Sequence, residues 1–365
     1  MAKNNMFTKV LVAYKRTLQV RIANKLKMKR LNNLYEKIIS LDNLRLADEK
    51  ARKGKGFSYG VRRHDTSRDE NIFKLHDILL KNEYKTSEYH IFKMITDNGK
   101  EREIYRLPYF PDRIVHHAIM NVMEPIWVSL FTTDTYSCIK GRGIHGVFRK
   151  LKYVLNDTQN TQYCLKIDIR KFYPTIDHEI LTALIGRKIK DKNLLNLISE
   201  IIGSAPCVPI GNYLSQFFAN VYLSYFDHWI KEEKKVKYYF RYADDMVFLA
   251  SDKQSLHKLF IEMQQYLSVN LKLEIKNNYQ IFPVDSRGID FIGYVFRHTH
   301  ILMRKSIKKN FARKAAIIHK KEYLSETDKR ESLSAHLGWA THCNSKNLIN
   351  KLLKNGKSTV RSSAA

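Results

Sequence analysis

Acidic residues are scarce in this chain. Across 365 residues, 36 Asp and Glu stand against 64 Lys and Arg, a formal net charge of +28. An excess of that size points to a polyanionic partner, because each phosphate neutralised by a lysine or arginine releases condensed counterions. An anionic membrane surface would accept the same charge. Long apolar runs are missing, however: no stretch approaches the ~20 residues that cross a bilayer, so no membrane association is expected. Cysteine is sparse. Cys138, Cys164, Cys207 and Cys343 form no C-x-x-C pair, which excludes a disulfide framework and a zinc finger and fits a reducing cytoplasm. With 44% hydrophobic and 27% charged residues, the remainder is the composition of an ordinary folded protein, long enough for two or three subdomains.

The first thirty residues, "MAKNNMFTKVLVAYKRTLQVRIANKLKMKR", carry no acid at all. Their composition is that of a transit peptide, but "VLVAY" is too short for a secretory core. A basic helix lying on a polyanion is the expectation. Leu31, Leu34, Ile38, Leu41 and Leu44 recur at helical spacing, which predicts one amphipathic helix. "DILLKNEY" extends a second. "SEYHIFKMITDNGKEREIYRLPYF" alternates like a hairpin about Asp97-Asn98-Gly99, and "DRIVHHAIMNVMEPIWVSLF" reads as a helix up to Pro125. From about 161, strands such as "QYCLKIDIRKFY", "YQIFPV" and "IDFIGYVF" interleave with helices such as "SQFFANVYLSYFDHWIKEE". Hairpins interleaved with helices predict an α+β fold and not a doubly wound parallel sheet. After about 301 the chain is basic and helical.

Two short stretches concentrate carboxylates where a strand gains nothing from them. In "CLKIDIRKF" the side chains alternate, so Ile167 and Ile169 share one face and Asp168 takes the other. "FRYADDMVFLA" reads as a hairpin with Asp244-Asp245 at its tip. Taken singly, an Asp pair in a turn is usually solvated. If the strands are neighbours, three carboxylates converge and need a counter-charge. Mg²⁺ supplies it: the ion prefers oxygen, taking one or two carboxylates plus substrate phosphates. Two such ions ~4 Å apart clamp an in-line phosphoryl displacement.

The order of these motifs resembles the reverse transcriptases. "YADD" in an apolar hairpin follows "KIDIRKFYPTID" and precedes "FIGY". "GKEREIYRLPYFPDRIVHHAI", "YSCIKGRGIHGVFRKLK", "PIGNYLSQFFANVYLSYFD" and "HLGWATHCNSKNLINKLL" are similar to the family's two fingers motifs, palm helix and group II intron-like thumb. The resemblance implies a right-hand polymerase fold: a basic helical extension over 1–70, fingers over 71–160, a palm over 161–300 with a fingers insertion about 178–205, and a helical thumb with a basic tail over 301–365. It implies that Asp168 and Asp244 ligate two Mg²⁺, replaceable by Mn²⁺, with Ile169 lending its backbone carbonyl and Asp245 as the third, peripheral acid. Tyr173, or Phe172 if the register slips by one, falls at the steric gate against ribonucleotides. Lys100 and Arg102 would meet the triphosphate of an incoming dNTP. Gly293, Tyr294, Arg304 and Lys305 would meet primer and template, the glycine by letting backbone approach the primer terminus.

Where most of these enzymes carry Gln-Gly then Ser-Pro, this chain has Ile210-Gly211 then Ser215-Gln216. That pattern resembles the reverse transcriptases of diversity-generating retroelements, as do "PVDSRGIDFIGYVFRHTHILMRKS" and "NLYEKIISLDNLRLADEKARKGK". The resemblance implies error-prone copying of a template-repeat RNA at adenines, a DNA primer, an oligomeric accessory variability protein as partner, and a cytoplasmic bacterial, archaeal or phage setting. Ile210, Gly211 and Gln216 would line the nascent pair. A group II intron-like or antiphage-defence enzyme, or a non-catalytic maturase-like RNA-binding protein, are the alternatives. "KNNYQIF" presents Tyr279-Gln280 where relatives have Lys-Thr, so no general acid is assigned there, Lys276 being out of register by three. No endonuclease or RNase H motif is visible.

Overall fold

A computed structural model describes residues 30–354 apart from 96–98, 100 and 322, and shows helices combined with antiparallel sheet. The expected basic N-terminal helix and Lys100 lie outside the described residues. Helices α1 (Tyr35–Ile39), α2 (Leu41–Arg52), α3 (Tyr59–Asp65) and α4 (Arg68–Leu80) come first. The single helix expected through Leu44 is two. Ser40 turns extended at ψ 141°, and its hydroxyl accepts the Asn43 amide at 3.3 Å, so a capping side chain overrides a continuous apolar stripe. Similarly α4 stops at Leu80, short of the expected Tyr84, where Asn82 enters the left-handed region at φ 57°.

An exposed hairpin of β1 (His90–Ile95) and β2 (Glu101–Arg106) follows, pairing Met94 with Arg102. Helix α5 (Ile114–Val128) continues through Pro125, where the sequence predicts a stop. The proline sits in the last turn and forfeits one backbone bond. Trp127 beyond it is 1% exposed and packs edge-on against Phe218, and burial of a large ring outweighs that loss.

Helix α6 (Ile144–Val154) leads to the central sheet through β3 (Tyr163–Asp168). Helices α7 (His178–Gly186), α8 (Lys192–Gly203) and α9 (Ser215–His228) come next, then β4 (Tyr238–Tyr242), β5 (Asp245–Ala250), α10 (Lys253–Leu271) and β6 (Gln280–Pro283). The antiparallel sheet order is β4-β5-β3-β6. Both of its faces are covered. Leu165, Ile167, Tyr239, Met246 and Phe248 join the core built with α5, α9 and α10. Cys164, Phe240, Val247, Leu249 and Phe282 face a second core with α6. The second face opens toward the strand ends, where Asp168 and Asp245 are half-buried.

"IDFIGYVF" is not one strand. It folds as β7 (Ile289–Phe291) and β8 (Tyr294–Phe296) about Ile292-Gly293, at φ 45° and 89°. Positive φ at both central residues is the demand of a tight hairpin whose twist matches its strands. Strand β9 (Ile301–Met303) completes a three-stranded sheet. Helices α11 (Lys305–His319), α12 (Glu326–Ser332), α13 (Ser334–Ala340) and α14 (Lys346–Lys354) form the C-terminal bundle around Phe311, Leu333 and Leu352. Among the described residues no helix is long and apolar enough to cross a membrane.

Candidate active site

The antiparallel register of β3 and β5 sets Asp168 directly opposite Asp245. Opposed residues in such a pair project to the same face, so two carboxylates distant in sequence share one opening. The tip of the acidic hairpin is one residue earlier than the sequence reading places it. Ala243 and Asp244 form the two-residue turn, Ala243 at φ 55°, and Asp245 already belongs to β5. Asp244 stands on that turn, with its carboxyl beside that of Asp168.

Burial pushes the Asp244 carboxyl up to about 6, helped by the negative charge of Asp168 and a hydrogen bond with it. Burial also raises Asp245, to about 7. Lys166 opposes that rise, while Asp168 and Asp244 add to it. Two lysines answer the acids. The Lys276 ammonium donates to Asp168 Oδ2, and Lys166 Nζ lies 3.5 Å from Asp245 Oδ2. Neither lysine was assigned from sequence. Lys166 is two residues before Asp168 on the same strand face, a signal the alternation already carried. Lys276 arrives only because its backbone amide donates to the Asp168 carbonyl at 2.9 Å.

The donor set fits a hard divalent cation. Asp168 Oδ1 and Asp245 Oδ1 are buried and lack any hydrogen-bond partner in the protein. No group of three or more Asp, Glu, His or Cys side chains among the described residues encloses an ion by itself. Mg²⁺ at such a site would take much of its coordination sphere from water and substrate phosphates. Ile169 has its side chain fully buried, 0% exposed, so only its backbone could serve as a ligand.

Phe172 and Tyr173 are separated by burial. Phe172 is 2% exposed and belongs to the core, which removes it as the gate. Tyr173 is partly exposed, and burial pushes its hydroxyl up to about 12, with Asp244 and Arg102 among the charges acting on it. Arg102 is exposed on β2. The Tyr105 amide of that strand donates to the Ile210 carbonyl at 2.8 Å, docking the loop before α9 onto the first hairpin. Gly211 takes φ 122°, and a Cβ there would lie 2.4 Å from the Tyr105 carbonyl oxygen. Gln216 is exposed in the first turn of α9.

The expected primer contacts divide. A Cβ on Gly293 would meet Trp339 Cζ3 at 2.5 Å and Ile307 Cδ1 at 2.9 Å. Packing against the C-terminal helices by itself requires the glycine. Tyr294 is 1% exposed, and its hydroxyl donates to the Trp339 carbonyl at 3.0 Å. It is a core residue. Its ring is taken by Phe148 and Phe296, because the two-residue turn at Ile292-Gly293 folds it inward. Arg304 is tied to Asp290 at 2.5 Å, and Lys305 opens α11 on an exposed face.

The family model for Reverse transcriptase (RNA-dependent DNA polymerase) matches residues 93–296, an interval that contains all three acids. The chain belongs to the reverse transcriptases. Its central antiparallel sheet and the helices flanking it, within the matched residues, have the right-hand polymerase fold. Protein YkfC of Escherichia coli K12 is 26% identical over 276 residues, 63% of this chain and 71% of that protein. The group II intron-encoded protein LtrA of Lactococcus lactis is 23% identical over 215 residues, 55% of this chain and 35% of LtrA. Telomerase from Candida albicans, solved in complex with a fragment of telomeric RNA, superposes at a TM-score of 0.48 with 10% identity over 76% of this chain and 58% of that one. This reverse transcriptase therefore spans about a third of LtrA and under two thirds of the telomerase chain.

Proposed function

We propose that the chain is the error-prone reverse transcriptase of a diversity-generating retroelement, copying a template-repeat RNA into cDNA. The observation that carries polymerisation is the register pairing Asp168 with Asp245, with Asp244 on the turn above them. Asp168, Asp244 and the Ile169 carbonyl would hold two Mg²⁺, or Mn²⁺ in their place, with Asp245 at the edge. When bound, such ions activate a primer 3′-hydroxyl and neutralise the departing pyrophosphate. The protein supplies the rest. Tyr173 excludes a 2′-hydroxyl by bulk, Arg102 meets the triphosphate with a planar fork, and the first hairpin and the Ile210 loop close over the nascent pair. Lys100 is the second triphosphate contact in this reading. Arg304, Lys305 and the basic face of α11 track the duplex backbone. The finger, palm and thumb boundaries follow the sequence assignment.

The subtype rests on Ile210. A side chain that hydrogen-bonds near the pair discriminates well, and an apolar one has nothing to lose when geometry is poor. An oligomeric accessory variability protein is the expected partner. The likeness to LtrA favours a second reading, a group II intron-like enzyme with faithful copying. Sequencing cDNA made on the native RNA separates the two: dense errors opposite template adenines support the retroelement, and faithful copies support the intron-like enzyme. Ile210→Gln should lower adenine errors; an unchanged spectrum removes the account of Ile210. Asp244→Ala should abolish Mg²⁺-dependent cDNA synthesis while RNA binding persists. Synthesis surviving that change overturns the catalytic assignment, maturase-like binding being the reading left if wild type makes no cDNA.

A further inference from the structure

Directly behind the acids, on the opposite face of the central sheet, lies a charged pair sealed from solvent. Arg241 and Asp227 are each 0% exposed in their side chains. Arg241 Nε donates to Asp227 Oδ1 at 2.8 Å, and Nη2 donates to Oδ2 at 2.5 Å. The Tyr239 hydroxyl donates to Oδ1 at 2.7 Å and the Thr135 hydroxyl to Oδ2 at 2.9 Å. The carboxylate is fully engaged, and one arm of the guanidinium is left over. That arm, Nη1, reaches Asn220 Oδ1 at 3.0 Å and the Ala243 carbonyl at 3.1 Å. The backbone of Arg241 is pinned as well: its amide donates to the Asp134 carbonyl at 2.9 Å, and its own carbonyl accepts the Tyr136 amide at 3.0 Å.

A buried ion pair is a poor device for stability alone, since well-packed apolar residues of similar volume serve as well or better. What an apolar side chain could not do is hold the Ala243 carbonyl. Ala243 is a non-glycine residue at φ 55°, a conformation that persists only when its surroundings over-determine it. The next residue is Asp244. We infer that Arg241, oriented by Asp227, is a positioning residue for polymerisation: its guanidinium fixes the Ala243–Asp244 turn from behind the sheet and so sets where the Asp244 carboxylate stands over Asp168 and Asp245. The inference rests on the catalytic reading above.

The test compares wild type with Arg241→Lys, which keeps a charge for Asp227 and loses the fork, and with the double variant Arg241→Met/Asp227→Leu, which removes both charges together so that neither is left uncompensated. Hydrogen exchange on the metal-free proteins should show faster exchange at residues 243–245 in both variants, with β3 and α9 protected as in wild type. In primer extension at saturating template–primer, kcat should fall about 10- to 100-fold, the effect of a displacement near 1 Å. Half-saturation by Mg²⁺ should move several-fold upward, with the KM for dNTP little changed. Should Arg241→Lys fail to fold, the double variant carries the test. Wild-type exchange at 243–245 together with wild-type kcat and Mg²⁺ dependence in a folded variant overturns the inference. So does a loss of activity that merely tracks the unfolded fraction. Failure of the catalytic reading looks different: wild type itself would make no cDNA, or Asp244→Ala would make it normally.

Discussion

Gly211→Ala is the substitution whose cost is best defined by the geometry. Gly211 sits at φ 122°, and the added methyl would lie 2.4 Å from the Tyr105 carbonyl oxygen and 3.3 Å from Ile104 Cγ2. The backbone conformation alone costs a residue with a side chain about 1–3 kcal/mol. The clash falls on main chain, which cannot rotate away, so the loop must separate from β2 and surrender the 2.8 Å bond from the Tyr105 amide to the Ile210 carbonyl. That bond is worth about 1 kcal/mol net. Together the two amount to about 2–4 kcal/mol, and the molecule can bear that cost in two ways. If the loop parts from β2 only far enough to break that bond and otherwise stays packed on the fold, urea unfolding loses the full amount. If the loop lifts off, global stability falls less and, on the function proposed above, the KM for dNTP rises, because the nascent pair would lose the wall between the first hairpin and α9. A rise of tenfold would correspond to about 1.4 kcal/mol. Equilibrium unfolding and steady-state primer extension on the same preparation read both channels. Stability within about 0.5 kcal/mol of wild type, the range of neutral surface changes, with an unchanged KM would refute the reasoning.

Tyr173→Ala should admit ribonucleotides, lowering the preference for dNTP over rNTP at least tenfold, or about 1.4 kcal/mol, as measured by single-nucleotide incorporation; undiminished discrimination would move the gate elsewhere. Gly293→Ala drives a methyl into Trp339 and Ile307 at φ 89°, so it should loosen the C-terminal helices by about 2 kcal/mol and shorten cDNA products, leaving single-nucleotide addition near wild type. His116→Leu tests stability against pH. His116 is 1% exposed, its Nε2 has no protein partner, and burial pushes its pKa down to about 3, aided by the charges of His117 and Arg113. A folded pKa below the unfolded 6.5 means that the unfolded chain binds the proton first. The stability is therefore full above about pH 6.5 and declines as pH falls toward 3, by up to about 1.4 kcal/mol per unit. The leucine variant should flatten that decline between pH 6.5 and 4 in urea titrations, and an equal slope in both proteins would exclude His116 as its source.

Much of the catalytic frame was legible because it depends on short-range chemistry. Alternation in "CLKIDIRKF" separated Asp168 from Ile167 and Ile169, and both isoleucines are buried. The misplacements have one origin: features that local periodicity does not register. The Ser40 hydroxyl broke a continuous apolar stripe into two helices. Ala243 and Ile292 adopted positive φ, which neither residue type advertises, so one hairpin tip moved by a residue and another hairpin went unseen. The resemblance of "FIGY" to a family motif sets Tyr294 against primer and template, yet its ring lies in the second core. The difference between a strand end and a tight turn decides that, and the turn needs both Ile292 and Gly293 to be left-handed.

The least legible part of the site is its support. Arg241 is three residues before Asp244, and strand alternation says only that it points away from its neighbours Phe240 and Tyr242. Nothing local says that the face it points to is closed, or that Asp227, on a helix fourteen positions upstream, turns a carboxylate toward it. An arginine in a strand that emerges next to a polyanion reads most simply as a phosphate contact. The sheet forbids that reading: Tyr239, Met246 and Phe248 share the Arg241 side and are all 0% exposed. The same two-residue period thus sends acids to one face and their buried brace to the other. Alternation could assign the acids because a lone strand already separates Asp168 from its apolar neighbours. Assigning the brace requires the β4–β5 register and the packing of α9 beneath it, and these are properties of the folded sheet.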